Sequence, residues 1–243
     1  MSERDYIVRV GRDGRLVYVP KRRSVSEHYK FFDPPRIVWE KINRRRWNYK
    51  TNREFYWLRD KAFMCLLYLT CCRVSELVRW VKRDEDTGKI IIVKPSIRKN
   101  QFVRIGDFLR VRGLPILKRK KPKTLREYPR RGEVSLPLKG ELSIFTKPIT
   151  QYLNMLREDE ELFKFRRVRG YQIVRYCTGE FPHYFREMGL KLWLRLYGMN
   201  VIMLQGFSGH VTLKNLLEYL KEAQSEEAER RLLTMKFEDF ERV

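Results

Sequence analysis

Apolar positions recur along the chain with two different periods, and together these periods predict a mixed fold. "YIVRVGRDGRLVYV" alternates around a glycine-containing turn, which predicts two short strands near the N-terminus. A helical pattern runs from about Trp57 to Val81, and "GKIIIVKPSI" is a β-branched run that predicts a strand. "FLRVRGLPILKRKKPKTLREYPRRGEVSLPL" predicts two strands with a very basic connection, and the chain is mainly helical from Lys147 onward. The order of elements predicts an α+β, mainly α, fold with a small antiparallel sheet.

One amphipathic segment near the C-terminus carries candidate chemistry. In "GFSGHVTLKNLLEYL", residues 206–220, leucines recur at steps of three and four residues, as expected of a helix with one apolar face. Tyr219 follows Leu216 by three residues and so lies at the edge of that face, while His210 belongs to the Gly-His pair ahead of it. Taken alone, these two residues are most simply a half-buried core tyrosine and a loop or capping histidine.

The charge balance changes this picture. Among 243 residues, 53 are basic and 30 are acidic, which gives a net charge of +23 and an isoelectric point near 10.1. Charge of this size indicates a polyanionic partner. The longest apolar run, "AFMCLLYLTCC", is about half the length that crosses a bilayer, and the N-terminus is polar rather than signal-like. We therefore expect nucleic acid rather than a membrane as that partner.

The four cysteines form no CxxC pair, so the sequence predicts no zinc site, no disulfide framework and a reduced intracellular compartment.

Three separated segments carry side chains that suit phosphate chemistry. Arg73 follows the apolar helical run, with Glu76 three residues further on as a ready ion-pair partner. "HYFR" places His183 and Arg186 three residues apart, on one face of a helix. Arginine grips two phosphate oxygens with a rigid fork, and a tyrosine assisted by a base can act as a covalent nucleophile. With the Gly-His and tyrosine of the C-terminal segment, these residues are what metal-free phosphoryl transfer would need.

These segments resemble the conserved boxes of the tyrosine recombinases, the phage-integrase, Xer and Cre family. "RDKAFMCLLYLTCCRVSELVRW" resembles the first box, and "HYFREMGLKLWLRLYGMNVIMLQGFSGHVTLKNLLEYL" resembles the second. Tyr219 follows His210 by nine positions, the usual spacing in this family. The resemblance implies a catalytic domain over 51–222, preceded by an N-terminal hairpin and basic segment (1–50) and followed by a tail (223–243) for packing or protomer exchange.

The resemblance also implies a role for each matched residue. Arg73 and Arg186 would clamp the non-bridging oxygens of the scissile phosphate, and Glu76 would orient its neighbours. His183 would accept the proton from Tyr219 as its hydroxyl attacks, and the family's Gly-His histidine, here His210, would donate a hydrogen bond to a phosphate oxygen. The product would be a 3′-phosphotyrosine link that stores the bond energy for rejoining, so no metal and no cofactor is expected.

A lysine that protonates the leaving 5′-oxygen is also implied. Its place near the strand matched by "VSLPL" favours Lys120, although the basic run itself predicts a phosphate-contacting loop. The separation from the first arginine favours Lys99 instead. The alternatives that stay open are Lys99, Lys118, Lys121 and Lys123. The predicted DNA-contacting residues are Arg44, Arg45, Arg46, Lys118, Arg119, Lys120, Lys121 and Lys123.

The sequence also departs from the family's pattern at three places, one of which is "YFREMG" in the second box, where "LRHTFA" is common. Cys71-Cys72 stands where the family usually has a glycine and an apolar residue. Only some fifty-six residues precede the first box, where most such recombinases carry a helical core-binding domain.

The expected function is that of an integrase-like, site-specific DNA recombinase. A type IB topoisomerase-like or telomere-resolving strand transferase would use the same residues, and a catalytically idle DNA-binding protein of the same fold is an alternative of another class. The expected partners are double-stranded DNA, further copies of the chain in a dimer or tetramer, and an accessory DNA-binding protein. The composition, rich in Arg and Lys, predicts an archaeal or mobile-element origin and action on DNA in the cytoplasm.

Overall fold

The structure is a computed structural model that describes residues 6–10, 16–20, 32–83, 87–117 and 132–197, together with positions 202 and 204. The chain divides into two compact units, residues 1–31 and 32–243. In the first, β1 (Tyr6–Val10) and β2 (Leu16–Pro20) pair antiparallel, with Val8 opposite Tyr18. The two strands predicted near the N-terminus are therefore present.

The second unit is built around one long helix. After α1 (Pro35–Ile42), α2 (Arg53–Thr70) packs against both α4 (Ser143–Asn154) and α6 (Pro182–Leu196). Every residue from Ala62 to Thr70 is buried, so the C-terminal half of α2 is enclosed on all sides. A helix that is apolar all round belongs at the centre of a core, which is where this one lies.

The helical pattern predicted over Trp57–Val81 is wrong in its last part. Helix α2 ends at Thr70, because Cys71 adopts a left-handed conformation with φ of 51°. A short helix α3 (Val74–Leu77) follows, and the chain is already a strand at Trp80. A left-handed residue ends the series of helical backbone hydrogen bonds. The spacing of apolar residues continues past this point, so it does not predict where the helix ends.

The strands form two small antiparallel sheets in the second unit. β3 (Trp80–Arg83) pairs with β4 (Ile90–Lys94), and β5 (Phe102–Ile105), β6 (Phe108–Val111) and β7 (Val134–Pro137) form a three-stranded sheet in that order. The strands predicted in "GKIIIVKPSI" and on both sides of the basic connection are confirmed. Helix α5 (Arg167–Thr178) packs against α1, α3 and α6. The predicted mixed fold with small antiparallel sheets is thus confirmed for the described residues.

Close packing between α6 and the end of α2 depends on Gly189. A Cβ at this position would overlap the carbonyl oxygen of Tyr68 and would lie 2.8 Å from the Sγ of Cys71. Only a residue without a side chain lets the two helices approach so closely. This approach brings the segment after α2 against the first half of α6.

No helix in the described ranges is both long enough and apolar enough to cross a membrane.

Candidate functional site

The turn after α2 holds Arg73 in place through Glu76. The backbone N–H of Arg73 donates to Oε2 of Glu76 at 2.8 Å, and its Nη1 donates to Oε1 at 3.2 Å. Glu76 is fully buried, whereas the side chain of Arg73 is 26% exposed. A buried carboxylate bound from two sides has little freedom. Glu76 therefore fixes a guanidinium that still reaches solvent, and the predicted pairing of these two residues is observed.

Arg186 reaches the same turn from α6. It is 1% exposed, and its Nη1 donates a hydrogen bond to the carbonyl oxygen of Cys71, two residues before Arg73. The two arginines that the sequence singles out, 113 positions apart, thus meet at one short segment. They differ in setting, because Arg73 is partly in solvent and Arg186 lies in the core.

His183 lies in the first turn of α6, which begins with Pro182. His183 is exposed and Arg186, three residues further on, is buried. The helix face that the two residues share therefore runs from the solvent into the core beneath the turn at Arg73.

Of the other residues that the sequence predicts to act on DNA, the structure describes only some. Lys99 is described: its Nζ donates to the carbonyl of Leu156 at 3.0 Å and lies 3.6 Å from Oε2 of Glu158, which ties it to the end of α4. Arg44, Arg45 and Arg46 are exposed. The predicted residues that lie outside the described ranges are Lys118, Arg119, Lys120, Lys121, Lys123, His210 and Tyr219.

Lys94 is a lysine in contact with Glu76 that the sequence analysis missed. It ends β4 and is 3% exposed, with its Nζ 3.3 Å from the carbonyl oxygen of Glu76 and 2.8 Å from that of Pro95. An open cavity of about 280 Å³ adjoins it, lined in part by Glu76. The sequence offers a weak signal, a lysine at the end of a β-branched run, but nothing in that run foretells its burial.

A second missed feature is the exposed face of α5. Arg167 and Arg175 are exposed on it, and Tyr171 and Tyr176 lie among them, 36% and 44% exposed. No acidic residue occurs between positions 166 and 178. Gly170 packs so closely on Val74 that a Cβ there would be 2.8 Å from its Cγ1. The basic and aromatic face therefore belongs to a helix that is seated directly on the turn bearing Arg73.

A network of ion pairs and hydrogen bonds ties the N-terminal end of α6 to α1. Oδ2 of Asp33 accepts hydrogen bonds from Nζ of Lys41 at 2.7 Å and from the hydroxyl of Tyr184 at 2.6 Å. The same Nζ lies 2.9 Å from Oε1 of Glu180. Burial raises the pKa of Asp33, but the two hydrogen bonds and the charge of Lys41 outweigh it and lower that pKa overall. This network fixes the residues on both sides of His183.

Among known structures, the chain is similar to a crystal structure of the XerH site-specific recombinase bound to palindromic difH substrate in a post-cleavage complex, with a TM-score of 0.51 and 11% sequence identity. The match covers 88% of this chain and 56% of the other, so the present chain spans little more than half the length of that recombinase. The fold is recombinase-like. No protein-family model and no curated protein matches the sequence.

The described residues contain no cluster of three or more His, Cys, Asp or Glu side chains that could hold a metal ion.

Proposed function

We propose that this recombinase-like chain breaks and rejoins DNA at specific sites as a tyrosine recombinase. The observation that carries the proposal is the hydrogen bond from Arg186 to Cys71, in the turn that bears Arg73, within a recombinase-like fold. Two guanidinium groups at one short segment suit the two non-bridging oxygens of a phosphodiester. The buried carboxylate of Glu76 holds the exposed one in place.

In the proposed reaction, the hydroxyl oxygen of Tyr219 attacks the scissile phosphorus and forms the phosphotyrosine bond. His183, exposed at the start of α6, accepts the phenolic proton, and His210 donates a hydrogen bond to a non-bridging oxygen. The bond to the 5′-oxygen breaks, and this oxygen takes a proton from a lysine. Attack by a 5′-hydroxyl on the phosphotyrosine reverses each step and rejoins the strand. Preorganised positive charge around the phosphorane supplies most of the acceleration.

The proton donor to the 5′-oxygen is the least constrained part of the proposal. Lys120 and its neighbours in the basic run remain candidates, and Lys99 is held by the end of α4. Lys94 joins them, because its Nζ contacts the carbonyl of Glu76, in the turn that carries Arg73. Replacing each of these lysines by methionine separates them: only loss of the true donor is rescued by a substrate whose 5′-oxygen is replaced by sulfur, a leaving group that needs no proton.

Double-stranded DNA is the proposed substrate because exposed surfaces of the described chain are basic. Arg44, Arg45 and Arg46 are exposed, and α5 adds an arginine and tyrosine face next to the turn at Arg73. Such surfaces bind the phosphate backbone through release of its counterions. We further propose that the chain acts as a dimer or tetramer on its site, through its tail (223–243), with an accessory DNA-binding protein where the N-terminal segment (1–50) does not suffice. An archaeal or mobile-element origin, with action in the cytoplasm, remains part of the proposal.

The test is capture of a covalent protein–DNA adduct on a nicked suicide duplex, which loses the fragment needed for rejoining. The wild-type protein should form the adduct, and Tyr219→Phe should form none while it binds the duplex equally well. Tyr171→Phe is the matched control, because it removes the same hydroxyl from an exposed tyrosine but keeps the ring that would contact DNA, so the adduct should still form. No adduct on any duplex would leave the chain as a DNA-binding protein, and an adduct that only relaxes supercoils would indicate topoisomerase-like activity.

A further inference from the structure

A cavity of about 550 Å³ lies between α1, α2 and α4, away from the turn that carries Arg73. Three of the chain's five tryptophans line it, Trp39, Trp47 and Trp57. Lys61 on α2 also lines it, and the end of α2 lies nine residues, or about 14 Å, further along the helix. Its volume is typical of a small-molecule or cofactor site.

The tryptophans of this cavity are held in place by the protein. Nε1 of Trp57 donates to the carbonyl of Trp47 at 2.7 Å, and Trp39 packs edge-to-face on Phe145 with ring centroids 5.4 Å apart. Arg169 lies 3.9 Å from the ring of Trp47 on one side. Fixed aromatic rings around a preformed space suit a flat ligand, because little conformational entropy is lost when it binds.

Positive charge lines the same cavity and lacks acidic partners. Arg45, Arg46, Lys61 and Lys147 all face it, and none of the four forms an ion pair with any residue in the described part of the chain. Lys61 is half-buried, with its Nζ over the ring of Trp39 at 5.5 Å, and burial together with Arg46 lowers its pKa. A desolvated ammonium without a counter-ion is costly unless an anion arrives to pair with it.

The two acidic residues of the lining do not neutralise these cations. Asp60 is engaged elsewhere, with its Oδ2 accepting from the hydroxyl of Tyr49 at 2.5 Å and its Oδ1 bound to Arg59 at 2.7 Å. Glu54 is exposed in the first turn of α2. The cavity therefore combines an aromatic interior with four cations that have no ion-pair partner among the described residues. One of them, Arg46, lies over the ring of Trp57, 4.8 Å from its centroid.

We propose that this cavity binds a nucleotide, with its base among the tryptophans and its phosphate at Lys61, Arg46 and Lys147. Stacking on aromatic side chains and charge-assisted hydrogen bonds to phosphate are the two ways in which proteins hold a nucleotide outside a duplex. The same chemistry belongs to a free nucleotide and to an unpaired nucleotide within a DNA strand. The proposal does not depend on the proposed recombinase chemistry, because its residues are separate from those around Arg73.

Titration of the full-length protein with adenosine 5′-monophosphate, followed by tryptophan fluorescence, tests the proposal. The nucleotide should quench the emission saturably, and adenosine or inorganic phosphate alone should each bind at least about tenfold more weakly, since each supplies half of the contacts. Lys61→Gln and Lys147→Gln should each lower the affinity for the nucleotide by about tenfold, because each loses one charge-assisted contact. Lys89→Gln makes the same charge change at an exposed lysine just before β4 and should leave the affinity unchanged.

The second arm of the experiment distinguishes the two sources of the nucleotide. If a DNA strand supplies the ligand, a duplex with a single unpaired 2-aminopurine should bind, and the fluorescence of that base should be quenched. If only the free nucleotide binds, the ligand is a soluble nucleotide. The proposal would be overturned if quenching were the same in Lys61→Gln and Lys147→Gln as in the wild type. It would also be overturned if neither the free nucleotide nor the duplex bound. Tighter binding of a synthetic peptide of residues 236–243, "KFEDFERV", would overturn it in favour of an acidic, aromatic protein segment.

Discussion

The guanidinium of Arg186 donates a hydrogen bond to the carbonyl oxygen of Cys71, which joins the middle of α6 to the end of α2. The bond is buried, and the residue that accepts it has a left-handed backbone. Two residues further on, Arg73 reaches solvent. The two arginines of the proposed site thus have different roles in stability, and mutation can separate those roles.

Replacing each arginine by lysine should give different results. Arg186→Lys removes the guanidinium that donates to the Cys71 carbonyl in the core, and we expect a loss of about 1–3 kcal/mol in the free energy of unfolding together with loss of cleavage. Arg73→Lys keeps the charge on a partly exposed side chain, so cleavage should fall severely while the melting temperature changes by no more than a degree or two. Thermal melts and suicide-substrate assays on both proteins check this. Equal losses of stability would contradict the assignment.

Gly189→Ala should destabilise the protein strongly. The added methyl group meets the backbone carbonyl of Tyr68, which cannot move without shifting α2 or α6. We expect a loss of about 1–3 kcal/mol or more from overpacking, measured by urea denaturation. Gly132→Ala is the control, because no atom of the described residues lies within 4 Å of a Cβ there and the backbone is not left-handed. A similar midpoint for both variants would mean that the helices separate at little cost.

Stability should fall with acidification partly through Asp33. Its pKa is lowered in the folded protein, so its contribution is present above the ordinary pKa of an aspartate, about 3.9, and is lost as the pH falls through the lower, folded value. Asp33→Asn should lower the melting temperature at pH 7 and should flatten its dependence on pH below about 4. Asp107→Asn, an exposed residue paired with Lys139, should leave that dependence nearly unchanged. If the melting temperature depended on pH identically in wild type and Asp33→Asn, the hydrogen bonds of Asp33 would not stabilise the position of α6.

The face of α5 should contribute to DNA affinity through the phosphate backbone. Replacing both Arg167 and Arg175 by glutamine should flatten the slope of log Kd against log salt by about 2, one for each lost phosphate contact. Alanine at Lys118, Arg119, Lys120 and Lys121 should flatten it by several units for the same reason. Arg36→Gln combined with Arg53→Gln matches the charge change of the α5 variant at two other exposed arginines, and an equal effect there would mean that only net charge matters.

Sequence reasoning succeeded where the signal is local or depends on residue type. Arg73 and Glu76 are three residues apart, and that spacing alone predicts the ion pair that the structure contains. The β-branched run predicts β4, because such residues favour extended backbone. Arg186 was singled out beside His183, but its burial follows from the approach of α6 to α2, which no pattern within α6 reveals.

Tertiary packing explains what the sequence did not disclose. The end of α2 depends on the left-handed backbone of Cys71, a conformation that is uncommon for cysteine and therefore not predicted. The sequence does not single out Lys94, because a lysine at the end of a strand is normally solvated, whereas here its Nζ is bound by the carbonyls of Glu76 and Pro95. The tryptophan cavity brings together residues from α1, α2 and α4 that are more than a hundred positions apart.

The enclosure of α2 has a consequence for hydrogen exchange. Amide protons between Leu66 and Thr70 are surrounded by protein on every side, so they should exchange with deuterium only when the whole unit unfolds. Arg73 stands three residues beyond them, in contact with water. The side chain that we expect to meet the scissile phosphate would then be anchored to the slowest-exchanging part of the protein, and any opening that admits DNA has to take place in other elements.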